Sequence, residues 1–160
     1  MECSGEYRIN MITIRNSQRK IKIDTAHLKR DAQKILDALD YSDFDLGIWL
    51  TSNKTIQTYN REYRHKDKPT DILSFAYHTQ LKAGNRIRVK SEEDKNLGDL
   101  IIAPEYVMHD LPKWNTTFEK HMQRLLVHGI CHLLGYDHIK DEDYRTMHKK
   151  EVQLLKKLEL

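Results

Sequence analysis

The chain has 160 residues, 39% hydrophobic and 32% charged. That is enough to bury a core within one compact domain, and no apolar run is long enough for a membrane span. The net charge of +3 favours a polyanionic partner without requiring one, and two cysteines, Cys3 and Cys131, are too few for a disulfide framework, which points to a reducing compartment.

Residues 1–10 carry Glu2 and Glu6 and no apolar core, so they read as a flexible extension and not as a signal peptide. A single domain is expected over residues 11–160. Met11 to Asn16 is rich in β-branched residues and partly alternates, which predicts a strand, and Ile21-Lys22-Ile23 suggests a second short one. Asp24 or Thr25 then caps a helix to about Leu39, with Leu28, Ala32, Ile35, Leu36 and Leu39 at helical spacing as a core stripe. Phe44 to Leu50 is short and mostly apolar, the pattern of a buried strand. Thr51, Ser52 or Asn53 caps the next helix, to about Tyr63, and Thr70 to Ala76 forms a strand after the break at Pro69. Between these last two elements, Asn60 to Lys68 is basic with Tyr63 interleaved. On composition alone it reads as a solvated helix end and loop.

Gln80 to Asn96 is polar, with Lys82, Arg86, Arg88 and Lys90 ahead of Glu92-Glu93-Asp94. A long loop or irregular hairpin over an active-site cleft is expected there. Leu97 to Ile102 reads as a short buried strand, and Pro104 can open a helix after it. Asp99 either orients a ligand histidine or anchors a turn, with the turn favoured. From Thr117 to Leu134 a helix places Phe118, Met122, Leu126, Ile130 and Leu133 toward the core, and His121, Leu125, His128 and His132 in a second stripe. Finally, Asp141-Glu142-Asp143 supplies a cap and an acidic first turn for a helix through about Leu158, packed inward by Met147, Val152, Leu155 and Leu158.

The chemistry lies at the end of the histidine helix. His128 and His132 are four residues apart and share one helix face, close enough for two imidazoles to hold one ion. Gly135 can take the left-handed conformation that turns the chain back, bringing His138 in as a third ligand. Three neutral nitrogens with an open fourth position describe a catalytic zinc site, or a site for another divalent ion, more than a closed structural one. His121 precedes His128 by two turns, about 10 Å, too far to share that ion. It is either a substrate contact or a plain surface histidine. Cys131 is off the histidine face and reads as a small apolar core residue. The zincin helix, H-E-x-x-H, has a glutamate general base where this chain has Gly129, so peptide hydrolysis lacks its usual proton shuttle.

The run His128-Gly129-x-x-His132-Leu133-Leu134-Gly135-Tyr136-Asp137-His138, with Leu97-Gly98-Asp99 before it, resembles the signature of the YbeY family of endoribonucleases, which take part in ribosomal RNA maturation and ribosome quality control. So does Asn60-x-x-Tyr63-Arg64-x-Lys66-Asp67-x-Pro69-Thr70-Asp71-Ile72-Leu73-Ser74-Phe75. The resemblance implies that Arg64 is catalytic, and a guanidinium suits that role because it grips phosphate through paired charge-assisted bonds. It also implies single-stranded RNA as substrate, with ribosomal RNA and ribosomal-subunit or ribosome-associated proteins as partners. Ala76 departs from the family, which usually has proline there.

The element order predicts an α+β fold: a small mixed sheet of about four strands covered by helices, with the metal-site helix lining a cleft. The expected function is a zinc-dependent, single-strand-specific endoribonuclease, with His128, His132 and His138 as ligands. The competing readings are a ribosome-assembly factor with a structural metal and a metal-dependent hydrolase of another substrate. The expected location is cytoplasmic in a bacterium, or mitochondrial or plastid in a eukaryote.

Overall fold

A computed structural model of the chain describes residues 11–159, so the proposed extension at residues 1–10 lies outside the described residues. Four strands form one open sheet: β1 (Ile12–Asn16), β2 (Asp45–Leu50), β3 (Ile72–Ala76) and β4 (Asn96–Ile102), in the order β1-β2-β4-β3. β1 and β4 both run parallel to β2, and β3 runs antiparallel to β4. The fold is therefore α+β with a mixed sheet, as the element order predicts.

Alternation along the strands decides what each face does. Leu46, Ile48 and Leu50 of β2, with Leu100 and Ile102 of β4, are fully buried in the main core. That core is closed by three helices, α1 (Thr25–Ala38), α4 (Phe118–Leu133) and α5 (Asp141–Leu158). On the other face α2 (Asn53–Arg64) builds a smaller cluster, in which Ile56 meets Leu73, Ile101 and Ala103. A short α3 (Pro104–Asp110) begins at the proline as expected. No helix among the described residues is long and apolar enough to cross a membrane.

α4 is the best buried of the helices because two of its faces are apolar. Leu126, Val127, Ile130 and Leu133 are almost wholly inaccessible, and truncating any of the large ones to alanine is expected to cost about 2–5 kcal/mol. Gly129 lets the helix close onto the sheet. A Cβ there would stand 2.8 Å from Ile72 Cδ1 and from Leu100 Cδ2.

Three local expectations need correction. Ile21-Lys22-Ile23 is not a strand: the Gln18 side chain accepts from the Ile21 amide at 3.0 Å and donates to the Ile21 carbonyl at 2.8 Å, taking up groups that a ladder would need. By contrast, the polar segment from Gln80 to Asn96 takes the loop form of the two expected, passing through a 3₁₀ turn at Glu92–Asp94 into the first residue of β4. The last helix is capped by Lys140 with no side-chain cap bond, although its acidic first turn is present. Its inward stripe is Met147, Leu154 and Leu158, with Leu155 partly buried against the same core as expected. Val152 sits two residues before Leu154, about 200° around the helix, and is exposed.

A three-histidine centre at the end of the buried helix

Thr117 starts α4 by accepting the Lys120 amide, and the helix ends in a Schellman turn. Tyr136 N–H bonds to the Cys131 carbonyl at 3.1 Å and Gly135 N–H to the His132 carbonyl at 3.0 Å. Gly135 has φ +88°, and a Cβ there would collide with the backbone carbonyl of Leu81. Only glycine satisfies both demands. Beyond it the Asp137 carboxylate accepts the His138 amide at 2.7 Å, fixing the turn that carries the third histidine.

One ring nitrogen from each of His128, His132 and His138 lies within 4.8 Å of the other two. The proton positions follow from their neighbours. His132 Nδ1 is 2.9 Å from the Tyr136 carbonyl oxygen, which can only accept, so Nδ1 carries the hydrogen and Nε2 presents a bare lone pair. His128 Nδ1 faces Glu151 Oε2 of α5 at 3.5 Å, which favours the same tautomer. The two Nε2 atoms consequently point at each other, 3.0 Å apart. Two lone pairs repel at that distance unless a cation joins them, and tetrahedral zinc with bonds of about 2.0–2.1 Å would hold two nitrogens about 3.3 Å apart. The donor set therefore fits a divalent ion of the zinc type. Burial and the neighbouring imidazoles push the His132 pKa down to about 4, so it stays neutral, as a ligand must.

Cys131 is completely buried beside these ligands, and burial pushes its thiol up to about 12. It is a core residue, as expected. Gly129 faces the sheet and not the ligands, so the position of the zincin glutamate is closed to any carboxylate here.

The three histidines line a cleft of about 980 Å³, and Arg64 and Tyr63 line it too. Arg64 is the last residue of α2, and His65 ends the helix in the left-handed region at φ 59°. The following loop is braced from inside: buried Asn60 donates from Nδ2 to the Lys68 carbonyl at 2.8 Å. Asp67 is engaged by Gln57 at 3.0 Å and Arg61 at 3.7 Å. Among the described residues nothing holds the Arg64 guanidinium, which is exposed. Of the basic segment 60–68, the cleft takes only Tyr63 and Arg64; the exposed remainder is the solvated helix end that composition suggests.

Other candidates separate from the site. Asp99 neither orients a histidine nor anchors a turn: it lies within β4 on the outer face of the sheet, against Gly47. Arg86 is spent on structure, donating at 2.8 Å to the Leu39 and Asp40 carbonyls at the end of α1. The loop does reach the cleft through Thr79 and Leu81. His121 is not a surface histidine. It is 3% exposed, and its ring forms part of the cleft wall. Glu151 is the residue that the motif does not announce. Its signal was a charge four residues after Met147 and three before Leu154, on the inward stripe of α5.

Residues 13–159 match the family model described as Endoribonuclease YbeY. A human protein named Endoribonuclease YbeY is 39% identical over 147 residues, covering 92% of this chain and 87% of the human one. Its namesake from Fusobacterium nucleatum is 40% identical over 139 residues, covering 81% and 78%. The solution structure of TM1509 from Thermotoga maritima superimposes with a TM-score of 0.59 at 25% identity, over 91% of this chain and 89% of that one.

Proposed function

The chain belongs to the YbeY endoribonuclease family, and on that footing we propose that it cuts single-stranded RNA at a centre where His128, His132 and His138 hold one divalent ion, zinc in the first instance. The observation that carries this reading is the pair of Nε2 atoms 3.0 Å apart, with their Nδ1 atoms turned to oxygens and His138 completing the set. Ribosomal RNA in maturation is the substrate that the family likeness favours. Ribosomal subunits or ribosome-associated proteins would be its partners, in a bacterial cytoplasm, a mitochondrion or a plastid.

Held by His128, His132 and His138, a zinc ion would supply Lewis acidity, making water a better nucleophile near neutral pH and offsetting negative charge at the phosphate. The chain's own residues do the rest. His128, His132 and His138 present their ring nitrogens as donors, and the oxygens at Tyr136 and Glu151 keep the helical pair in the ligating tautomer. Arg64, exposed in the same cleft, grips the scissile phosphate through two parallel N–H bonds and stabilises the charge that grows on it during cleavage. Because no side chain among the described residues competes for the guanidinium, pairing with substrate breaks no contact with any of them.

The test is cleavage of a labelled single-stranded RNA by wild type and His132→Ala in parallel, with and without a chelator, after both are shown to be folded. Cutting by wild type that the substitution and the chelator each abolish is the expected result. Equal cutting by both proteins would overturn the metal-nuclease reading and leave the assembly-factor role.

A further inference from the structure

The cleft extends beyond the histidines to a tryptophan that the catalytic reading leaves unused. Trp114 follows a 3₁₀ turn (Leu111–Lys113) between α3 and α4 and is 42% exposed, yet it is held from several sides. Its indole nitrogen donates to Asp110 Oδ2 at 3.1 Å, and the same carboxylate binds Lys113 at 2.7 Å. His121 stacks on the indole at 4.9 Å with the rings 29° apart. The Arg124 guanidinium lies over it at 5.0 Å. The ring is thus fixed in orientation while part of it stays open to solvent at the wall of the cleft, where a bound ligand can reach it.

The chemistry around the ring names the occupant. The part of the ring left open to solvent adjoins the cleft, and Arg124 adds positive charge beside it, while the charge of Lys113 is offset by Asp110. Flat aromatic surface with adjoining guanidinium is how proteins take unstacked nucleobases and their phosphates. A lipid tail would have little use for the guanidinium. His121 and the triad belong to one wall: His121 lies on the same helix as His128, seven residues earlier and so about 10 Å away along the axis, and both line the same cleft as Trp114 and Arg124. Burial lowers the His121 pKa, so the ring beneath the indole is a neutral stacking partner and does not repel a cation. One of its nitrogens, Nδ1, is buried without a hydrogen bond.

We propose that Trp114, backed by His121 and flanked by Arg124, is a stacking platform for a nucleobase of the single strand, beside the phosphate that is cut. This rests on the nuclease reading and gives it a physical basis for strand selectivity. A base in a duplex is already stacked on its neighbours and cannot reach the indole; a base in a single strand can.

The chain has two tryptophans, and the other, Trp49, lies on the outer face of the sheet. A Trp49→Phe protein therefore makes Trp114 the sole reporter. Its emission is expected to be quenched on titration with a short single-stranded ribooligonucleotide, cleavage being suppressed by chelator, and to be unmoved by the same sequence as a duplex. In the otherwise native chain, Trp114→Ala is expected to bind that oligonucleotide roughly 5- to 140-fold more weakly, the span of base–aromatic stacking. KM should rise with kcat held. Trp114→Phe should restore most of the affinity while losing the bond to Asp110, which separates stacking from a role in folding. Oligonucleotide binding that leaves Trp114 emission unchanged, or a Trp114→Ala protein with native affinity, would overturn the platform. Zinc-loaded wild type that cuts no RNA would instead sink the reading on which it rests.

Discussion

The two working parts of the cleft are built on opposite plans. On the histidine side every group is already placed: two ligands by a buried helix, the third by a glycine turn, and two ring tautomers by oxygens from the same chain. On the arginine side only the backbone is placed, through buried Asn60 and the left-handed His65, and the Arg64 guanidinium is exposed with no partner among the described residues. The difference teaches which part can be formed before substrate arrives. A metal needs converging lone pairs at fixed distances, whereas a phosphate brings its own charge and can order a flexible cation on contact.

The contrast breaks most completely at Gly129. Gly129→Glu would restore the zincin pattern on paper, but it pushes a carboxylate into Ile72 and Leu100. The expected outcome is loss of roughly 3 kcal/mol or more of stability with no peptidase activity, read by thermal denaturation and a peptide assay. Full stability would show that α4 does not close on the sheet as described. Arg64→Ala tests the other side. It should lower kcat/KM about 100- to 1000-fold while leaving zinc content and melting temperature nearly unchanged, and a coincident fall in zinc content would show that the two sides are not independent. Glu151→Gln sharpens the metal side alone. Zinc affinity measured by competition with a chromophoric chelator should fall about 10- to 100-fold, and an unchanged affinity would remove Glu151 from the site.

The smallest effect is on the metal-free protein's response to acid. His132 has its pKa depressed from 6.5 to about 4, so between those values the unfolded chain takes up a proton that the folded one refuses. Stability is therefore intact above about pH 6.5 and falls as pH drops toward 4, by on the order of 2 kcal/mol once partial solvent screening is allowed for. Denaturant titrations of wild type and His132→Ala across that window should show wild type losing about that much more stability than the variant between pH 6.5 and 4. Parallel curves would refute the depressed pKa.

Much of this was legible in the sequence because it depends on short-range spacing. The i, i+4 histidines, the glycine turn and the apolar stripe of α4 are each set within one or two helical turns, and all stand where the pattern places them. What was hidden depends on separation in sequence. Glu151 reaches His128 only through helix packing, and Asp99 was read for a turn because nothing local says which face of the sheet it takes. Ile21 to Ile23 had strand composition, but a single glutamine side chain outcompeted the ladder. His121 shares a stripe with the ligands, yet it is buried and stacks on Trp114, seven residues upstream in another element.

The carbonyl of Tyr136 belongs to the turn that closes α4 and also holds the ring of His132. Opening that last turn loosens the ligand, and an ion that grips the ligand resists the opening. Ligand occupancy and local unfolding are thereby linked, so metal binding should slow hydrogen exchange at the Gly135 and Tyr136 amides by the factor that occupancy adds to the closed state. Two backbone protons thus keep a record of whether the centre is filled.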